Sequence, residues 1–141
     1  MSTEKYKDMT DEQILEKLLD DTDDVPHKTV FIKRLGIPIE LKALTEKQIA
    51  KIREKNTYPV KVNGMEIQQL DEEGFKLSLI AACTVKPNFK EGKLLSKYKV
   101  SSAEEFIARK FLAGEIEQLV AIIYELNGYT SGLEEIEEIK N

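Results

Sequence analysis

The stretch that decides the fold is residues 101–129, which read SSAEEFIARKFLAGEIEQLVAIIYELNGY. Two apolar helical patterns lie in it, one before Gly114 and one after it. Side chains that follow each other at about 100° per residue form a separate stripe in each pattern. The first stripe contains Ala103, Phe106, Ile107, Lys110 and Phe111, and the second contains Ile116, Leu119, Val120, Ile123 and Leu126.

A single uninterrupted helix would carry these two stripes on opposite sides, about 180° apart. We therefore predict a break at Ala113-Gly114, which lets both stripes face one core. Glycine often ends a helix because it adopts the left-handed conformation without a Cβ clash. Glu115 then suits the positive end of a second helix. The outer ends are set by an N-cap at Ser101 or Ser102 and by a stop at Asn127-Gly128.

The composition fits one domain. The chain has 141 residues, and its hydrophobic fraction of 41% is enough to bury a core without disulfide or metal staples. We predict a single domain over residues 1–141 with flexible ends near 1–8 and 130–141. Cys83 is the only cysteine, so no disulfide framework can form, and its apolar neighbours suit a core position. No apolar run approaches the roughly 18 residues of a membrane span, so we expect a cytoplasmic protein.

Two β-hairpins are predicted upstream of this stretch. Thr29 to Leu35 and Ile37 to Leu41 are rich in β-branched residues and are separated by Gly36. Pro38 has no N–H to donate, so its strand should lie at an edge or pair on one side only. The run from Val60 to Ile67 alternates around Asn-Gly, the pair typical of a two-residue type I′ turn.

The other segments carry helix signals. Thr10 and Thr45 each begin a capping box with a glutamine three residues later. Asp71 can cap an apolar helix through Phe75 to Val85, which Pro87 should end. Leu133 to Asn141 reads as an acidic amphipathic tail. The fold class is therefore α+β and mainly α, with small antiparallel β-hairpins packed with a bundle of about five helices.

No motif for catalysis, cofactor binding or metal binding emerges. The aspartates between Asp20 and Asp24 lack the glycine and the late glutamate of an EF-hand loop, so they indicate a solvated linker. His27 has no serine, cysteine or acidic motif around it that would form a catalytic set. We expect a protein that is not an enzyme and that needs no cofactor.

Three motifs resemble those of the XkdN-like phage tail assembly chaperones of PBSX-type prophages. They are Leu79 to Phe89 (LIAACTVKPNF), Phe111 to Ile116 (FLAGEI) and Ile123 to Tyr129 (IYELNGY). The hairpin from Thr29 to Leu41 also fits this family, so the resemblance covers roughly Lys28 to Tyr129. The resemblance implies a non-enzymatic protein of the bacterial host cytoplasm that binds the tail tape-measure protein. It also implies that a frameshifted, longer form of the chain can accompany it.

The apolar surplus after the predicted break gives a candidate partner-binding surface. Its apolar residues cover more than the roughly 100° stripe that one core contact needs. Such a surface can receive an amphipathic helix, or it can pack beneath the hairpins or against another copy. We also expect self-association, because a second copy can cover exposed apolar surface until a client arrives. The predicted partner-binding residues are Leu112, Ile116, Leu119, Ile122, Ile123 and Tyr124.

Two other function classes remain open at this level. An enzyme would need convergent titratable groups, and the sequence offers one histidine and one cysteine. A small regulatory or nucleic-acid adaptor domain would use the segment from Lys86 to Lys99, where five lysines alternate with aromatic and aliphatic residues. The net charge of -5 argues against nonspecific binding through phosphate contacts.

Overall fold

The computed structural model describes residues 8–20 and 25–135. The chain divides into two compact units, one of Met1–Asp24 with Ser131–Asn141 and one of Val25–Thr130. The elements in chain order are α1 (Asp11–Leu19), β1 (His27–Ile32), β2 (Ile37–Lys42), α2 (Glu46–Lys55), β3 (Thr57–Val62), β4 (Met65–Leu70), α3 (Glu72–Cys83), β5 (Thr84–Lys86), α4 (Gly92–Tyr98), α5 (Ala103–Lys110) and α6 (Ala113–Leu126).

In the first unit, α1 begins at the predicted capping box. The Thr10 N–H donates to Gln13 Oε1 at 2.9 Å, and the Gln13 N–H donates to Thr10 Oγ1 at 3.2 Å. The helix ends at Leu19, just before a run of aspartates whose carboxylates would oppose the helix dipole. Residues 133–135 are neither helix nor strand. The rest of the predicted tail, the acidic linker at 21–24 and the flexible end before Asp8 lie outside the described residues, and the single-domain boundary of 1–141 stays a prediction.

In the second unit, the first predicted hairpin forms the centre of a sheet. β1 and β2 are antiparallel, and Gly36 closes their turn with φ of 66°. The strand order is β1-β2-β5, so β2 is the middle strand and not an edge. Pro38 is tolerated because β5 pairs only around Glu40 and Leu41, which leaves Pro38 paired with Phe31 of β1 alone.

β5 corrects the prediction of a helix through Val85. α3 is capped by Asp71, whose Oδ1 accepts from the Gly74 N–H at 3.1 Å, but it ends at Cys83. The next three residues leave the helix because they pair with β2, with Thr84 opposite Leu41 and Lys86 opposite Glu40. The apolar run that looked wholly helical therefore divides between a helix and a strand.

The second predicted hairpin forms a sheet of its own. β3 and β4 pair along their whole length around Asn63 and Gly64, whose φ angles of 53° and 80° suit a type I′ turn. The hairpin does not join the three-stranded sheet. One of its faces carries apolar side chains that are well exposed, including Tyr58, Val62, Met65 and Ile67.

The core lies where α3 meets α5, α6 and the three-stranded sheet. Leu79, Ile80 and Cys83 of α3 are almost completely buried, and so are Ile39 and Leu41 of β2. Both stripes of the organising stretch contribute to it, as predicted, with Phe106 and Ile107 from α5 and with Leu119 and Ile123 from α6.

The break between α5 and α6 exists, but it lies earlier than predicted and Gly114 does not cause it. α5 ends at Lys110, and Phe111 takes an extended conformation that leaves its ring buried. α6 then begins at Ala113, so Gly114 lies inside its first turn without a positive φ. Glu115 caps the new helix, because its Oε1 accepts from the Leu112 N–H at 2.8 Å. The predicted stop at Asn127 and Gly128 is confirmed.

The fold class is confirmed as α+β and mainly α. The part of the chain that the structure describes contains six helices, where about five were expected. No helix in it is long and apolar enough to cross a membrane.

Candidate partner-binding surface

The six predicted partner-binding residues occupy different environments on α6. Leu119 and Ile123 are 1% and 0% exposed, so they serve the core and cannot reach a partner in this conformation. Leu112 is 55% exposed at the start of the helix. The other three, Ile116, Ile122 and Tyr124, are half-buried. Two of the six therefore belong to the core of the second unit, and the assignment of the other four to a partner-binding surface stays a prediction.

A cleft of about 360 Å³ lies between β1 and α6, and we call it the β1–α6 cleft. It brings together three of the predicted residues and leaves Ile116, Ile123 and Tyr124 outside its lining. Its lining consists of Val30, Phe31, Ile32, Lys33 and Arg34 from β1 and the following turn, and of Leu112, Glu115, Gln118, Leu119 and Ile122 from α6.

Phe31 is the main apolar group that the sequence analysis missed. Its ring is 61% exposed, whereas Ile32 beside it is buried. Adjacent strand residues point to opposite faces, so the burial of Ile32 directs Phe31 outward. Apolar and polar residues do not alternate regularly from Thr29 to Ile32. Strand periodicity alone therefore does not predict that Phe31 faces outward. The turn length around Gly36 was the available signal, since it fixes the register that places Phe31 opposite Pro38 and outside the core.

The polar end of the cleft is held by Arg34 and Glu115. The Arg34 Nε and Nη2 groups donate to the two carboxylate oxygens of Glu115 at 3.0 and 2.8 Å, which is a bidentate pair. Nη2 also donates to the Lys110 carbonyl at 2.9 Å, at the end of α5. One side chain therefore ties the β1–β2 turn to the junction of two helices.

Electrostatics at this contact favour the charged forms of both partners. The hydrogen bonds from Arg34 hold the pKa of the Glu115 carboxyl below its usual range, and the Leu112 N–H adds to this effect. The same pair raises the pKa of Arg34. Both side chains thus stay ionised near neutral pH, so the ion pair between them is present there.

Tyr124 lies in a separate aromatic contact. Its ring meets that of Tyr129 edge to face, with the centroids 5.1 Å apart. Tyr129 is 56% exposed. This pair extends the accessible apolar surface of α6 towards its end, beyond the cleft.

The cysteine and the histidine, the two side chains with reactive potential, lie in different environments. Cys83 is fully buried, and burial raises the pKa of its thiol to about 12, so it remains protonated. The His27 Nδ1 lies 2.9 Å from Glu40 Oε2 across the β1–β2 pair. Within residues 8–20 and 25–135, no group of three or more histidine, cysteine or acidic side chains is arranged to hold a metal ion.

Comparison with known proteins gives one family and one similar structure. The model of the phage XkdN-like tail assembly chaperone protein family matches residues 15–140. The crystal structure of the protein YqbN is similar, with 25% sequence identity and a TM-score of 0.58 over 75% of this chain and 87% of that chain. No curated protein matches. The family match spans both walls of the β1–α6 cleft.

Proposed function

Because the chain belongs to the XkdN-like phage tail assembly chaperone family, we propose that it binds the tail tape-measure protein and keeps that protein soluble during tail assembly. The observation that carries the proposal is the β1–α6 cleft, where Phe31 and Leu112 present more than half of their surface to solvent. Exposed apolar side chains around a concavity are typical of a site that binds another chain.

The lining of this cleft has the chemistry that suits a client helix. An amphipathic helix binds a groove through residues spaced three or four apart along one face. Phe31, Leu112 and Ile122 supply the apolar contacts, whereas Lys33 and Arg34 supply a polar edge. Long helical segments of a tape-measure protein expose such apolar faces before assembly, and exposed apolar faces promote aggregation.

The contact must also be reversible, because an assembly chaperone releases its client when the tail forms. A small cleft meets this requirement. Burying the remaining surface of two or three side chains yields only part of the roughly 1.5 to 3 kcal/mol that complete burial of each would give. Association costs offset a further part of this gain. Binding at one cleft is therefore weak, and a long client gains affinity by engaging several copies.

Co-expression with the tape-measure protein of the same phage tests the proposal. The unaltered chain should increase the soluble fraction of the tape-measure protein. Glu substitutions at Phe31, Leu112 and Ile122 should abolish this increase, because each places a charge where the client is apolar. Met65→Glu is a matched control, since Met65 is 70% exposed on β4 and lies outside the cleft lining. Phe31→Glu, Leu112→Glu and Met65→Glu change exposed side chains, so these three variants should keep the melting temperature of the unaltered chain. Ile122 is half-buried, so Ile122→Glu should lower the melting temperature and supports the site only together with the two exposed cleft variants.

The variants that fail to increase the soluble fraction of the tape-measure protein locate the client site. If only Met65→Glu failed to increase the soluble fraction of the tape-measure protein, the client surface would lie on the β3–β4 hairpin. Tyr124→Glu tests whether the surface continues to the tyrosine pair beyond the cleft. Failure of the unaltered chain to raise the soluble fraction would remove the client assignment.

A further inference from the structure

A second and more apolar concave surface lies where β2, β5, α4 and α5 meet, and we call it the α4–α5 groove. Its volume is about 630 Å³. The floor is a cluster of three nearly buried rings, with the Phe89 centroid 5.8 Å from that of Phe106 and 5.7 Å from that of Phe111. Leu94 and Tyr98, one helical turn apart on α4, form a wall. The groove offers a second site for an apolar helix face.

The rim of this groove is basic. Lys86 and Lys110 belong to its lining. The Lys110 Nζ donates to the Tyr98 hydroxyl at 2.8 Å and lies 5.3 Å from the centre of that ring. This hydrogen bond is the main reason that the pKa of Tyr98 is lowered, and the positive charges of Lys97 and Arg109 contribute. Among the described residues, no ion pair involves Lys86 or Lys110.

The whole segment around the groove has a strong charge excess. Residues 86–99 contain five lysines and one glutamate, a net charge of +4 in a chain whose total is -5. The function proposed above gives this segment no role. A positively charged rim around an apolar floor favours an occupant with an apolar face and acidic flanks.

The first unit contains a helix of that chemistry. Residues 8–20 contain five acidic residues and one lysine, a net charge of -4. α1 has one apolar stripe, formed by Ile14, Leu15, Leu18 and Leu19, and the last two are 75% and 78% exposed. The helix has nine residues, and isolated helices shorter than about 12 residues are marginal in water. Docking its stripe on another surface would stabilise it.

We propose that the α4–α5 groove of one molecule binds α1 of a second copy, with the apolar stripe on the phenylalanine floor and the acidic flank along the lysine rim. The stripe from Ile14 to Leu19 rises about 7.5 Å along the helix axis. The two surfaces are different, so each contact joins the groove of one molecule to the helix of another. Two molecules that each bind the α1 of the other form a closed dimer. Molecules that each bind the α1 of the next one form a ring or a filament.

Sedimentation equilibrium of the full chain over a range of concentrations tests this contact. The unaltered chain should form oligomers, and added salt should weaken them because it screens the charge attraction. Leu18→Glu/Leu19→Glu changes only exposed residues of α1. Lys86→Glu/Lys97→Glu changes two exposed lysines, of which Lys86 lines the groove and Lys97 lies on α4 outside the lining. Each pair of substitutions should raise the dissociation constant at least about tenfold. Met65→Glu should leave it unchanged.

A mixing experiment separates this contact from other modes of association. The first double variant keeps an intact groove, and the second keeps an intact α1. Each should be a monomer alone, and an equimolar mixture should form a heterodimer. A mixture that stays monomeric, oligomers that persist in either double variant, or an unaltered chain that is monomeric at every concentration would each overturn the proposal. Neither experiment contains the tape-measure protein, so its outcome is independent of the client assignment.

Discussion

Replacing Gly114 by alanine tests where the organising stretch breaks. In the structure Gly114 is the second residue of α6, without a positive φ, and an added Cβ would meet nothing within 4 Å. Alanine has the better helix propensity and restricts the unfolded chain. We therefore expect Gly114→Ala to raise the free energy of unfolding by about 0.4 to 1 kcal/mol.

Gly36→Ala is the matched contrast. An added Cβ at Gly36 also meets nothing within 4 Å, but its φ is 66°, in the left-handed region. The space for a Cβ is therefore the same at both sites, and the sign of φ differs. An alanine there costs roughly 1 to 2 kcal/mol, so Gly36→Ala should destabilise the protein by about that amount.

Urea denaturation followed by far-ultraviolet circular dichroism measures both changes. For a unit of this size, 1 kcal/mol corresponds to roughly 4 °C in melting temperature, so thermal melts provide a second readout. The two variants should shift in opposite directions. If Gly114→Ala lost as much stability as Gly36→Ala, Gly114 would be a left-handed terminator, and the placement of the break after Lys110 would be refuted.

Three further predictions concern the core, the Arg34–Glu115 ion pair at the cleft and the cysteine. Leu79→Ala should lower the free energy of unfolding by about 2 to 5 kcal/mol, because Leu79 is 1% exposed; urea melts that overlay those of the unaltered chain would show that it is not in the core. Glu115→Gln should lower the melting temperature most at neutral pH. A carboxyl whose folded pKa lies below its usual value of 4.5 stabilises the protein above that pH, and this stability is lost as the pH falls through the folded pKa. A difference in melting temperature between Glu115→Gln and the unaltered chain that grows in acid would contradict this prediction. Cys83 should react with a chromogenic disulfide reagent at pH 8 only after unfolding, and a fast reaction of the folded chain would contradict its burial.

Local signals predicted most of the elements, because each depends on a few neighbouring residues. The capping boxes at Thr10 and Thr45 and the Asn-Gly turn all form as predicted, with the Thr45 N–H donating to Gln48 Oε1 at 2.9 Å. β5 could not be predicted in this way. It exists because Thr84 to Lys86 pair with a strand more than forty positions earlier, and an apolar run carries no information about such a partner.

The break after α5 has the same kind of cause. Phe111 leaves the helix and packs its ring against that of Phe89, with the ring centroids 5.7 Å apart. The helix therefore ends because of a tertiary contact, and not because of the glycine that follows. Periodicity correctly predicted two stripes, but it could not place the end of either helix.

The candidate surface depends on more of the molecule than one helix. Periodicity identified a surplus of apolar residues on α6, but it could not divide them between core and surface. That division depends on the sheet, which buries Leu119 and leaves Leu112 exposed. Phe31 belongs to the same surface only through folding, since it lies about eighty residues from α6 in the sequence.

Hydrogen–deuterium exchange of the full chain, with and without a purified helical segment of the tape-measure protein, tests the central claim most directly. We predict slower exchange at residues 30–34 and 112–116 when the client binds, because these backbone segments border the β1–α6 cleft. Residues 57–70 of the separate hairpin should exchange at the same rate in both samples. Saturated client binding with unchanged exchange at both cleft segments would contradict the claim that this cleft holds the tape-measure protein.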